Sequence, residues 1–420
     1  MTNQTATDVA PATVNEAVIN PKTGRPAGPV QGILLLIGSC LPILGAVLLA
    51  PILPTLSVVF KNSPGSAALV PLILTIPALF IAILAPFAGA IVDKVGRKRV
   101  LVIALFVYAV LGTAPLYLNS LGAIVASRAA VGITEAFIMT CCTTLIADYF
   151  TGNRRNKYLG LQALVTALAA TVFFAVGGAV GAFGWRTPFW LYAVSLIVAI
   201  AMIAAIWPTN ATEDGHEKRV GKLPPVPWGK LLLPTFVAFF GGIVFYTLIV
   251  ELPYVLAGKG VTATAIIGVV TAVASLATAI GAFTFRYIAK HGVGILLPLA
   301  LILAGIGQLI VGLAPIVPVI VVGAIIASFG TGILLPTMIT WSIARLGYEQ
   351  RGRGTGLFTG AIFLGEFVTP LVVLALTAAT GTLGTAIAII GGFAVIVCIV
   401  LAIVTRRFPQ PALAVAAPTS

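Results

Sequence analysis

Twelve apolar runs follow one another along the chain, each parted from the next by a few polar, glycine or proline residues. They cover approximately 32–59, 67–92, 99–117, 121–149, 158–183, 187–207, 231–256, 262–285, 293–314, 317–342, 354–378 and 382–405. A helix crossing the hydrocarbon core needs about 20 apolar residues, and each run is close to that length or exceeds it. Membrane β-strands read as weak ten-residue alternations, whereas these runs are long and unbroken. The pattern predicts an all-α membrane protein with 12 transmembrane helices. One sizeable polar stretch, 208–230, holds Glu213, Asp214, His216, Glu217, Lys218, Arg219 and Lys222 and divides the runs six and six. The expected units are a disordered tail 1–30, a six-helix bundle 31–207, a linker 208–230, a second bundle 231–407 and a tail 408–420.

Composition sharpens this picture. Of the 420 residues 60% are hydrophobic and 8% charged, against roughly 45–50% and about 25% in soluble domains. A soluble enzyme is excluded, because a soluble fold of this size cannot hide so much apolar surface. The net charge of +13 would suggest nucleic acid in a soluble protein, but here it fits basic loops that set topology. With both termini inside, inner segments hold 20 of the 24 basic residues, outer segments hold Lys61, Arg186 and Lys259, and Arg128 falls inside a span. The expected location is a cell membrane, crossed many times, with cytoplasmic termini; the compact loops suit a bacterial inner membrane. No cleavable signal peptide is expected, since the first thirty residues are polar and rich in Thr, Ala and Pro.

Several chemistries find no residues to carry them. Cys40, Cys141, Cys142 and Cys398 lie in apolar runs with no metal spacing and read as packing residues. His216 and His291 lie outside the spans, so a membrane-embedded catalytic constellation is not expected. No G-x4-G-K-[ST] occurs, so nucleotide-driven transport by this chain alone is not expected. No cofactor, metal or nucleic-acid partner is expected.

The two halves repeat one another. Arg155-x4-Gly160 returns as Arg351-x4-Gly356, and Gly89-Ala90 returns as Gly281-Ala282. Parallel repeats of six spans mark one transporter architecture, with the substrate site between the halves. The loop after the second run reads Gly89-x3-Asp93-Lys94-x-Gly96-Arg97-Lys98. Leu44-Gly45-x5-Pro51-x2-Pro54 stands in the first run, and Arg128-x3-Gly132 in the fourth, which ends in Asp148-Tyr149-Phe150. Gly184-Trp185-Arg186-x2-Phe189 lies between the fifth and sixth.

These motifs, spread over nearly the whole chain, resemble the major facilitator superfamily, and within it the 12-span drug:proton antiporter branch. The resemblance implies two pseudo-symmetric six-helix bundles around a central cavity. It also implies an inner gate latch of Gly89, Asp93, Gly96, Arg97 and Asp148. Two positions depart from the branch: Val131 stands where it has Gln, and its fifth-span Gly-Pro is replaced by Phe173-Phe174, followed by Gly177-Gly178.

Ionisable residues inside a span default to a functional role, since each costs roughly 2.5–3.5 kcal/mol to insert. Glu135 lies seven residues after Arg128, on the same helix face and about 10 Å further in. It is the first candidate for proton coupling or cation binding, with Arg128 holding counter-charge or meeting an anionic substrate group. Glu366 falls near the midplane, where it either faces the cavity or bonds a neighbouring helix. Glu251 is a further proton-coupling or substrate candidate, with a structural or interfacial role, reaching to the outer surface, as the first reading. Phe239, Phe240, Phe245, Tyr246 and Trp341 are candidate cavity aromatics. The expected function is secondary active transport of a small molecule, with protons as coupling ion, by a protein working as a monomer in the bilayer. Efflux of an amphipathic or lipophilic compound is the first reading. Proton-coupled uptake, or efflux of a polar metabolite such as a sugar or organic acid, is the second. The two-fold repeat with a latch argues against a channel; a transporter-like receptor that binds without flux is separated by a flux assay.

Overall fold

The computed structural model describes residues 19–21, 24–209, 228–344, 346 and 351–406. Most of the expected first tail, the core of the expected linker and the expected last tail therefore lie outside the described residues. The elements are α1 (Pro29–Val47), α2 (Leu53–Val59), α3 (Ser66–Leu84), α4 (Ala88–Val95), α5 (Arg97–Thr113), α6 (Leu121–Tyr149), α7 (Gly152–Gly181), α8 (Val194–Ala205), α9 (Trp228–Gly258), α10 (Thr264–Ile288), α11 (Val293–Leu313), α12 (Val317–Ala344), α13 (Arg351–Thr380) and α14 (Leu383–Arg406). Among the described residues 12 helical stretches are long and apolar enough to cross a membrane. In hydrocarbon the helix is the available answer, because every backbone polar group must be satisfied within the segment. Large apolar side chains such as Val110, Ile197, Ile200 and Phe236 stand exposed on the outside of the bundle, as a lipid-facing surface requires.

Three boundaries differ from the sequence reading, each for a local reason. The second run does not continue to 92: α3 ends at Leu84, and α4 is a separate short helix. Pro86 sits in the break and has no N–H to carry the ladder on. The fifth span begins at Gly152 rather than 158, because the polar turn from Asn153 to Lys157 stays helical beyond the apolar run. The first helix starts at Pro29, inside the expected tail; proline favours a first helical position. Just before it, Asn20 N donates to Arg25 O (2.9 Å) and Ile19 pairs with Pro26.

The helices pack as two six-span halves. Within the first, α6 is central, touching α1, α3 and α5; within the second, α11 packs on α12 and α14, and α9 on α13. Between the halves the main contacts are α7 with α10 and α13 with α3. The repeat noted in the sequence pairs the fifth span with the eleventh and the second with the eighth. The interface is therefore one contact used twice, with the partners exchanged.

Candidate functional site

A cavity of about 320 Å³ lies between the halves. The first half supplies an apolar wall, from Ile43, Ala46 and Val47 on α1 to Ala170 and Phe174 on α7. The second half supplies Phe245 and Tyr246 on α9, hydroxyl-bearing residues on α10 and α12, and Glu366 on α13. Phe245, Tyr246 and Glu366 thus line the cavity, which for Glu366 is one of the two positions the sequence left open. Trp341 does not: it is buried in the packed core of the second half with Met338 and Leu297, off the cavity wall. Phe239 and Phe240 are also off the wall, and Phe240 packs on Phe393 instead. Apolar periodicity alone does not tell an aromatic facing a neighbouring helix from one facing a gap.

Three carboxylates are buried in the spans: Glu135 at 1% exposure, Glu251 at 5% and Glu366 at 7%. None has an ion pair within 4.0 Å among the described residues. Glu251 therefore does not reach the surface as expected; α9 is packed on that side, and its next turn carries Tyr254 inward. Tyr254 Oη and Ser57 Oγ lie 3.1 Å apart and join the two halves at the end opposite the basic loops. Removing that hydroxyl alone, with Tyr254→Phe, is expected to weaken closure there by about 1 kcal/mol, a roughly fivefold shift in population. Spin-label distances across the two halves should show the open form rising; an unchanged distribution would remove this bond from the closure.

Arg128 and Glu135 are not a direct pair, in keeping with their seven-residue separation. Arg128 is instead committed to backbone. Its Nη2 donates to Gly45 O at 2.9 Å and its Nε to Ile73 O at 3.2 Å, while its guanidinium lies 5.0 Å over the Tyr192 ring. The Ile73 carbonyl is free for a reason written in the sequence: Pro77, four residues on, has no N–H to give it. One turn past Arg128, Gly132 lies directly on Pro77, where a Cβ would come within 2.5 Å of the proline's backbone. The Arg-x3-Gly spacing is thus a reading head for a proline kink. Arg128 Nη1 has no hydrogen-bond partner, and its Nη2 stands with Glu135 Oε1 beside Gly45, so the guanidinium lies near that carboxylate without pairing with it.

Glu135 leans on the same α1 glycine. Its Oε1 has no hydrogen-bond partner, and any Cβ at Gly45 would collide with that oxygen. The next residue, Ala46, lines the cavity, and its carbonyl accepts the Tyr246 hydroxyl at 2.7 Å. Gly45 and Ala46 therefore form a one-strand partition, with Glu135 behind it and the cavity in front. Nothing in the sequence spacing shows this partition.

At the basic end, Arg97 bridges two carboxylates. It pairs with Asp93 at 2.9 Å and with Asp148. Gly96, at φ +102°, makes the turn between α4 and α5 that a side chain would strain. Gly89, by contrast, has open space where a Cβ would stand, so no close approach requires it. Every described contact of this cluster stays within the first half. Lys98, next in the loop, donates to Ile203 O (2.9 Å) and Ile206 O at the C-terminus of α8.

At the opposite end the halves touch backbone to backbone. Gly178 lies against Thr264 O and Gly268 Cα of α10, while its neighbour Gly177 packs within the first half on the Leu48 carbonyl. Thr171 Oγ1 donates to Ser275 Oγ across the same interface at 3.2 Å.

The sequence profile of the Major Facilitator Superfamily matches residues 35–289 and 235–419. Multidrug resistance protein 2 of Bacillus subtilis is 27% identical over 192 residues, 44% of this chain and 46% of that protein. The multidrug efflux protein YfmO of Bacillus subtilis is 25% identical over 244 residues, 57% of this chain and 59% of its own length. The quinolone resistance protein NorA of Staphylococcus aureus is 25% identical over 203 residues, 47% and 52% of the two chains. The chain thus spans about half the length of these curated relatives. Among solved structures, a D-xylose-proton symporter superposes with a TM-score of 0.74 at 15% identity, over 89% of this chain and 96% of that one. A bacterial homologue of the lysosomal transporter Spinster gives 0.69 at 17%, over 90% and 96%.

Proposed function

We propose that this chain, which belongs to the major facilitator superfamily of membrane transporters, exports a small amphipathic or lipophilic compound in exchange for protons. The observation that carries the reading is the cavity: an apolar chamber between the halves with one carboxylate, Glu366, on its wall. Glu366 is the cargo-side acid, and Glu135, behind the Gly45–Ala46 partition, is the proton-side acid. A ligand shifts the equilibrium between inward- and outward-facing forms only through different affinity for the two. Protonation from outside releases cargo there, and deprotonation inside restores the empty site to its binding form. The cluster of Asp93, Arg97 and Asp148 is the latch at the cytoplasmic end, and the 20-to-3 distribution of basic residues supports that orientation.

The rest of the assignment follows. The chain works as a monomer in a cell membrane, with cytoplasmic termini and two bundles, 31–207 and 231–407, joined by the 208–230 linker. Uptake or export of a sugar or organic acid fits less well. No Asn, Gln, Lys, Arg or His lines the cavity, and those side chains are what a polyol or a carboxylate would need.

Inverted membrane vesicles containing the protein provide the test. Their lumen is acidified, and lumen pH is followed while lipophilic cations, antibiotics, sugars and organic acids are added. A compound should trigger proton release with the wild type and fail to do so with Glu135→Gln. Glu366→Gln should weaken the response to cations most. If labelled solute crosses but no compound moves protons, coupling is refuted.

A further inference from the structure

Most of the cavity's hydroxyl groups do not face cargo as free donors; Ser275 and Ser328 are the exceptions among the described residues. Thr271 Oγ1 donates to Ile267 O at 2.9 Å, Thr331 Oγ1 to Ser328 O at 2.9 Å and Thr166 Oγ1 to Gln162 O at 2.8 Å. The Tyr246 hydroxyl is spent on Ala46 O, and Ser275 Oγ accepts from Thr171. A hydroxyl has one proton and two lone pairs, so each of these four donors turns its proton to the backbone and keeps acceptor capacity. No lining side chain carries an N–H, and the carboxylate is Glu366, to which no described side chain donates. A ligand entering this chamber meets chiefly oxygen acceptors, one carboxylate that no described side chain donates to, and a mostly apolar far wall.

Resting on the transport reading above, we infer that the cargo is a protonated amine: a lipophilic ammonium that still bears at least one N–H. Positive charge alone does not satisfy the site. A carboxylate beside hydroxyl lone pairs, in a largely apolar chamber, rewards a directional donor, and a charge-assisted hydrogen bond is about twice as strong as a neutral one. A quaternary ammonium brings the charge but no proton. It holds its nitrogen behind a methyl shell and leaves Glu366 and the hydroxyl oxygens without a donor. The two halves divide the molecule between them: the ammonium end lies toward α10, α12 and α13, and the apolar end against α1 and α7.

A matched series tests this. It comprises an arylalkyl dimethylamine, protonated at neutral pH, its trimethylammonium analogue, its neutral tert-butyl isostere and the corresponding carboxylate. Binding is measured by calorimetry on the purified full chain, and flux in vesicles. The dimethylammonium should bind about tenfold or more tighter than the trimethyl analogue, with the neutral and anionic members weaker still. In Glu366→Leu the two cations should become equal; Thr331→Val, which removes a lone-pair donor without touching the carboxylate, should narrow the gap. Equal binding of the dimethyl and trimethyl compounds by the wild type overturns the inference and leaves transport standing. Amine-selective binding without flux of any member keeps the inference and overturns the transport reading.

Discussion

Gly178→Val should leave the protein folded and cut its transport by about a hundredfold. A Cβ at 178 would stand 2.5 Å from Thr264 O and 2.6 Å from Gly268 Cα. Both are backbone atoms of α10, so neither can swing aside as a flexible side chain would. Extra methylenes in a packed contact cost about 1–3 kcal/mol, and here the strain falls on an interface between two rigid bodies with two arrangements. Within each half nothing is disturbed, so folding survives while the closed form is disfavoured at the end opposite the basic loops. The measurement pairs flux in vesicles with half-to-half distances, and Gly392→Ala, which meets nothing within 4 Å, serves as control. Wild-type flux in Gly178→Val would show that the backbone contact is incidental to turnover.

Arg128→Ala should cost about 2–6 kcal/mol of stability, because it strands two buried carbonyls at roughly 1–3 kcal/mol each. The origin of one of them makes the claim sharper. Ile73 O lacks a helical partner because of Pro77, so Pro77→Ala gives it a backbone N–H again and makes Arg128 partly redundant. The double variant should therefore be less destabilised than the sum of the singles, by about 1 kcal/mol. Unfolding in detergent, followed for the four proteins, reads this out. Strict additivity would mean that Arg128 and the proline-freed carbonyl do not cooperate. Arg128→Lys should rescue poorly, since a point charge cannot fork between Gly45 O and Ile73 O.

How far the sequence carries the reader depends on what each signal encodes. The spans were legible because hydrocarbon demands long apolar helices, and the error at α3 and α4 arose where a proline broke the helix inside an apolar run. The repeat offsets relate α7 to α13 and α3 to α10, and the interface is built from these four helices in crossed pairs, α7 on α10 and α3 on α13. Charge in a span singled out Glu135, Glu366 and Arg128, and all three are buried. What it did not reveal was their partners. Arg128 answers a proline fifty-one positions away, and Glu135 leans on a glycine ninety away. Such contacts between helices leave no periodic trace in one chain. Gly177-Gly178, left over where the antiporter Gly-Pro is missing, was visible as a pair, but its role needed the sight of α10 against it. Trp341 shows the converse, since an aromatic in a span carries no mark of whether it faces a gap or a neighbour.

The apolar wall of α1 and α7 has a calorimetric consequence. Each cargo molecule that settles against Ile43, Val47 and Phe174 removes apolar surface from water, and such removal lowers heat capacity. Enthalpy and entropy of binding will both fall as temperature rises and largely cancel in affinity, but the heat-capacity change keeps its negative sign. Its size follows the apolar area covered, so it measures how much of the chamber a given cargo fills, independently of how well its ammonium end is held.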